Sequence, residues 1–216
     1  MPTASDVLRI AAAEIGTTEN PAGSNRNKYS LALGRPAEPW CADFLVWVTR
    51  QAGLRLPSEH PYTPYMATGF KRAGTWGDRT AGIAPGDVVF FNFGSGIIRH
   101  VGIVEAVRRT EIVTIEGNTS PGSAGSQDNG GGVYRRTRPF HHVVGYGRPA
   151  YTKEAAVPEA AAPAPAPNYA VNEEPVGLSA VFDSAGNVKG YYIICRDGGV
   201  FGFGQVPYLG RVHKRS

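Results

Sequence analysis

Cysteine is scarce in this chain: Cys41 and Cys195 are the two among 216 residues, so a disulfide framework is not expected. A strong surplus of one charge is missing as well. The formal balance is +4 with a pI near 9.1, and the arginines are scattered rather than gathered into a stripe, so nucleic acid is not expected as a partner. No apolar run is long enough to cross a bilayer, which removes stable membrane association from the expected behaviour. Residues Met1 to Asp6 carry neither a charged nor an apolar export region, and the arginine pairs Arg108-Arg109 and Arg135-Arg136 are internal, so a cytoplasmic start is expected. His60, His141, His142 and His213 have no cysteine or carboxylate at metal-ligand spacing and read as structural or surface residues.

What is abundant is glycine and proline, 28 and 17 respectively, which gives loops and turns a large share and excludes a helical bundle. A hydrophobic content of 42% with 19% charged residues is that of an ordinary globular protein. The length suits one well-buried domain with a small appendage. Composition changes sharply at Ala155 to Pro167, where alternating Ala and Pro keep the backbone extended at about 3.1 Å per residue, as a semi-rigid spacer. The reading is a domain over 1–150, a linker over 151–168 and a small β-rich module over 169–216.

In the first domain, Thr3 or Ser5 caps a helix with Val7, Leu8, Ala11, Ala12 and Ile15 on one stripe, ended by Gly16. Residues 21–29 read as a polar loop. A second helix is expected from about Cys41 to Ala52, with Phe44, Leu45 and Val48 inward and Gly53 as its stop, and a short third one near Pro64 to Ala73. From Pro85-Gly86-Asp87 the period becomes strand-like. Strands are expected at 88–91, 100–107, 111–116, 133–135 and 143–146. Helices followed by consecutive strands imply an α+β domain with an antiparallel sheet.

Cys41 stands at the expected first turn of its helix, where unpaired backbone N–H groups stabilise a thiolate. A free cysteine is also commonly a small buried hydrophobe. A thiol nucleophile needs a base and a group that orients the base. His100 opens one strand and Glu116 ends the next, so a hairpin can set them side by side with Asn118 just beyond. Taken singly, His100 also reads as a surface histidine and Glu116 as a solvated charge.

The blocks Pro39-Trp40-Cys41-Ala42-Asp43-Phe44, Pro85-Gly86-Asp87-Val88-Val89-Phe90-Phe91, Arg99-His100-Val101-Gly102-Ile103-Val104 and Ile115-Glu116-Gly117-Asn118-Thr119 resemble, in this order, the CHAP domain, the cysteine, histidine-dependent amidohydrolase/peptidase family. The segment Gly23 to Tyr29 is similar to a loop common in that family. The resemblance implies a papain-like (NlpC/P60-like) α+β fold with N-terminal helices packed on an antiparallel β-barrel or sheet. It implies Cys41 as nucleophile, His100 as general base and then acid, Glu116 as the residue orienting the histidine and Asn118 as the accompanying polar residue. Trp40, Asp43, Asn25, Lys28 and Tyr29 are expected to bind substrate, although Asp43 also reads as an exposed carboxylate favouring the helix dipole. Some family members hold calcium on an aspartate-rich loop before the nucleophile, but residues 27–36 carry no carboxylate cluster, so no metal and no cofactor are expected.

The implied partner is bacterial peptidoglycan, and the implied activity is cleavage of an amide of the wall by an N-acetylmuramoyl-L-alanine amidase or a stem-peptide or cross-bridge endopeptidase. The expected setting is a bacteriophage endolysin of high-GC Gram-positive hosts, held in the host cytoplasm until holin-mediated release. The alternatives are a virion-associated lysin, a host wall-remodelling hydrolase, a cytoplasmic amidase on small peptides, and an inactive wall-binding module. Residues 188–210 read as a β-hairpin with an Asp-Gly turn, after a weaker hairpin at 180–187, and Cys195 reads as a buried apolar strand residue. Tyr191, Tyr192, Phe201, Phe203 and Tyr208 suit either wall binding or a hairpin core, and so small a module is expected to dock or self-associate.

Overall fold

The structure is a computed structural model that describes residues 1–152, 175–182, 188–195, 199–204 and 210–211. The chain divides into two compact units, Met1–Ala155 and Ala156–Ser216. The Pro/Ala spacer lies outside the described residues.

In the first unit, helix α1 (Ala4–Ala13) starts at a reciprocal cap in which Thr3 accepts from the Asp6 N–H and Asp6 accepts from the Thr3 N–H, which satisfies two otherwise unpaired donors. The expected loop over 21–29 ends earlier than the sequence pattern indicates. Asn27 caps a five-residue helix, α2 (Lys28–Ala32), by accepting from the N–H groups of Tyr29 and Ser30. Helix α3 (Cys41–Gln51) buries Cys41 through Val46 and also Val48 and Thr49, and the chain turns away at Gly53 with φ of 76°. Helix α4 (Thr63–Arg72) follows.

The strands are β1 (Trp76–Asp78), β2 (Val88–Phe91), β3 (His100–Val107), β4 (Glu111–Thr119), β5 (Gly132–Pro139) and β6 (Val143–Gly147). They form one antiparallel sheet in the order β1-β6-β2-β3-β4-β5. Alternation along the strands splits the interior in two. Val88, Phe90, Val101, Ile103 and Ile115 join the core under the helices, while Val89, Phe91, Ile112 and Val143 form a second cluster on the other face.

The architecture is α+β as expected, but the sheet stays open and does not close into a barrel. β1 has three residues and pairs with β6, and β5 forms the far edge with Arg135 and Arg136 along it. Charged side chains on an edge strand discourage further pairing.

The second unit is a four-stranded antiparallel sheet of β7 (Pro175–Phe182), β8 (Val188–Cys195), β9 (Gly199–Gly204) and β10 (Gly210–Arg211), in the order β10-β9-β8-β7. Where two hairpins are expected, β7 begins at Pro175 and adds itself to the same sheet. Tyr191 and Ile194 are exposed and Tyr192 is half-buried. Cys195 ends β8, and its side chain, like those of Phe201, Phe203 and Tyr208, lies outside the described residues.

Candidate active site

Two glycines decide how the helix, the sheet and the polar cluster fit. A Cβ on Gly117 would stand 2.5 Å from Phe44 Cβ and 2.8 Å from Trp40 Cζ3, so α3 can lie directly on β4 only because that position is bare. A Cβ on Gly102 would stand 2.7 Å from Glu116 Cγ, so the Glu116 side chain runs across β3 through space that glycine leaves open. After Glu116 the β4–β5 register shifts, with Glu116 opposite Tyr134 and Thr119 opposite Gly132. One extra residue is thereby accommodated on β4, and Asn118 takes φ of 56°, a left-handed conformation that asparagine tolerates better than most residues.

This framework brings Cys41, His100 and Glu116 into one chain of contacts. Cys41 opens α3 and His100 opens β3, and the thiol interacts with the imidazole. His100 Nε2 lies 3.0 Å from Glu116 Oε2. A carboxylate has no proton to give, so Nε2 donates and Nδ1 is left as the basic atom. Nδ1 is buried and has no hydrogen-bond partner among the described residues. His100 and Glu116 are fully buried and Cys41 is 3% exposed.

Burial alone would push the His100 pKa down, but its interactions with Cys41 and Glu116 overcome that and raise it to about 9. Burial would likewise push Glu116 up, but the Arg138 guanidinium and His100 hold it down at about 2. These opposite shifts mark a pair built to carry charge out of water.

An open groove of about 350 Å³ runs past Cys41, lined by Pro39, Tyr62, Ile98, Arg99, Asp128 and Asn129 among others. Arg99 Nε donates to Asp128 Oδ2 across it at 2.9 Å. Asn118 is fully buried; its Nδ2 donates weakly to Asn129 Oδ1 at 3.4 Å, and its Oδ1 has no hydrogen-bond partner among the described residues.

The expected substrate-binding residues divide. Trp40 and Tyr29 are fully buried, stacked on one another with ring centres 5.4 Å apart. Trp40 Nε1 donates to Glu19 Oε1 at 2.8 Å and Tyr29 OH to Glu14 Oε2 at 2.7 Å, and burial pushes the Tyr29 phenol up. Asp43 is not an exposed carboxylate. It is 3% exposed and accepts from Ser30 Oγ at 2.7 Å and from Arg35. These three side chains are buried around the start of α3, with their polar atoms committed to protein partners. Asn25 and Lys28 line a separate cavity of about 690 Å³ on residues 17–37, with Lys28 Nζ 2.5 Å from Glu14 Oε2. Among the described residues no group of three or more His, Cys, Asp or Glu side chains is placed to hold a metal ion.

The sequence reading missed Thr114, Arg138 and the groove wall. Thr114 and Arg138 both donate to Glu116. The signal available for Arg138 is its alternation with Arg136 along a strand, and it becomes meaningful only once the β4–β5 register is known.

Residues 34–118 match the protein family described as CHAP domain, a span that contains Cys41, His100, Glu116 and Asn118. Among solved structures, the wild-type endolysin LysIME-EF1 is similar at 15% identity, over 94% of this chain and 79% of that one, with a TM-score of 0.43. Ly7917 with the hydrolyzing product of MDP is similar at 20% identity over 68% of this chain and 63% of that one, TM-score 0.42. Ly7917 in a second structure gives 20% identity, 68% and 62%, TM-score 0.41. No curated protein matches the chain.

Proposed function

We propose that the chain is a peptidoglycan hydrolase that cleaves a wall amide through a cysteine acyl-enzyme. The observation that carries this is the buried contact chain from Cys41 through His100 to Glu116, lying inside the span that matches the CHAP family.

In the proposed reaction the Cys41 thiolate attacks the carbonyl carbon of the scissile amide. The carbonyl π pair moves to oxygen, and the oxyanion is met by N–H groups at the start of α3, with the Cys41 N–H as one donor. Collapse of the tetrahedral intermediate expels the amine, which takes the proton held on His100 Nδ1. Water then attacks the thioester, His100 accepting its proton, and the carboxylic acid and thiol are released. Glu116 stays ionised throughout, holding the imidazole with Nδ1 toward sulfur. Asn118 accompanies the set at the bulge, and Asn25 and Lys28 offer a more distant surface for substrate.

The bond is either the N-acetylmuramoyl-L-alanine amide or one in the stem peptide or cross-bridge. The setting we favour is a phage endolysin acting on the wall after holin-mediated release, with residues 169–216 as a wall-binding module. It is supported by the modular order of a catalytic unit, a Pro/Ala segment and a small second unit.

Digestion of purified walls followed by mass analysis of the fragments tests the reading and identifies the bond. Wild-type protein is expected to release new amine and carboxyl termini, and Cys41→Ala to release none. Equal lysis by Cys41→Ala would eliminate the nucleophile.

A further inference from the structure

Arg138 is the least expected group in the molecule: an arginine on an edge strand whose side chain is 5% exposed. Its guanidinium is fully engaged on the side that faces the site. Nε donates to Glu116 Oε1 at 2.9 Å and Nη2 to Glu116 Oε2 at 2.5 Å. Nη2 also donates to Thr119 Oγ1 at 3.2 Å and Nη1 to Gln127 Oε1 at 2.8 Å. The ring of Phe93 lies 4.9 Å from its central carbon and that of Phe91 5.8 Å. Withdrawing a guanidinium from water is costly and is offset here by four hydrogen bonds.

We infer that Arg138 is a positioning residue for the hydrolysis: its two-point grip on Glu116 fixes that carboxylate, charged and aimed, against His100 Nε2. The inference rests on the reading of Cys41 and His100 as a reacting pair. A carboxyl group buried as Glu116 is would otherwise take up a proton, and a neutral acid would no longer support an imidazolium. A planar fork also fixes direction, which a single point charge does not. Through Gln127 the same guanidinium reaches the loop that carries Asp128 and Asn129 into the Cys41 groove, so the groove wall and the orienting carboxylate share one anchor.

The charged groups around Glu116 are His100 from β3, Arg138 from β5 and, farther along β5, Arg136. Cys41 from α3 acts on it through the imidazole, and His142, in the turn after β5, feels Arg138. Removing the Arg138 charge has a definite sign. Glu116 becomes easier to protonate, and a neutral Glu116 withdraws its support from the imidazolium that faces Cys41, so alkylation of Cys41 is expected to need a higher pH.

The test uses the full chain with Cys195→Ser, so that only Cys41 is alkylated by iodoacetamide, a reaction whose rate follows the thiolate. Its pH profile and the rate of wall hydrolysis are measured for the parent, Arg138→Gln and Arg138→Lys. Arg138→Gln is expected to move the alkylation midpoint upward by about one pH unit, a tenfold change in the ionisation equilibrium, and to slow hydrolysis at neutral pH by a similar factor. Arg138→Lys, which keeps the charge and loses the fork, is expected to leave the midpoint in place while hydrolysis falls. An unmoved midpoint in Arg138→Gln overturns the inference, as does an equal loss at every pH in both variants. If Arg138→Gln does not fold, Arg138→Lys decides: parental hydrolysis overturns the inference. Walls left intact by a parent protein whose Cys41 alkylates with the expected profile would instead overturn the proposed function.

Discussion

Glu116 accepts hydrogen bonds from Thr114 Oγ1, His100 Nε2 and two nitrogens of Arg138 while fully buried. Its charge is therefore a term in folding as well as in the proposed chemistry. With the carboxyl lowered from 4.5 to about 2, its contribution to stability is complete above pH 4.5 and is lost as the pH falls through 2. His100, raised from 6.5 to about 9, contributes fully below pH 6.5 and loses its contribution as the pH rises through 9. Both contributions are present together between those ordinary values, so the melting temperature is expected to be highest there. Glu116→Gln is expected to flatten both flanks of that profile and to lower stability by about 3–5 kcal/mol, because it leaves a buried guanidinium without its counter-charge. Thermal unfolding across pH measures this; a variant with the parental pH profile would show that the pair carries no linked protons.

At the scale of elements, the site depends on α3 lying flush on β4, and Gly117 is where they touch. Gly117→Ala places a methyl against Phe44 and Trp40, so the helix start must lift or the bulge must shift. Overpacking of this kind costs about 1–3 kcal/mol. Because the displaced end of the helix carries Cys41, wall hydrolysis is expected to fall by more than the folded fraction does; a loss in proportion to unfolding alone would mean that the contact sets stability but not alignment. The sequence made α1, α3, β2 and β3 legible because each has a clear apolar period and an identifiable cap or stop. α2 is too short for a period, and only the Asn27 cap announces it. β4 extends past Glu116 and β5 past Arg135 because cross-strand pairing continues where local apolar alternation has ended. Cys41 and His100 were legible by residue type and by place at element starts, and Glu116 by residue type in the strand after His100. Arg138 was not, since its partner is 22 residues away and set by register. The burial of Trp40, Tyr29 and Asp43 was not legible, because a motif identifies neighbours of Cys41 without showing which way they point.

At the scale of the whole molecule, the first unit has its own two-sided core, with helices packed over one face of the sheet and a second apolar cluster on the other, whereas the second unit is a small sheet of four strands. Area available for burial rises steeply with chain length, so the first unit is expected to keep its fold when the second is removed. The two units also face different demands. Cutting an amide needs an oriented thiol, base and carboxylate, all of which lie within residues 41–138; staying on an insoluble polymer needs only additional contact, and tethering a second binder multiplies retention without changing the chemistry of the first. Truncation after Pro167 therefore separates the two. The shortened chain is expected to hydrolyse soluble wall fragments at close to the parental rate and to sediment much less with intact walls. Cosedimentation against the full chain measures the second effect, and unchanged retention would assign residues 169–216 to docking or self-association, which sedimentation velocity of the full chain would then resolve.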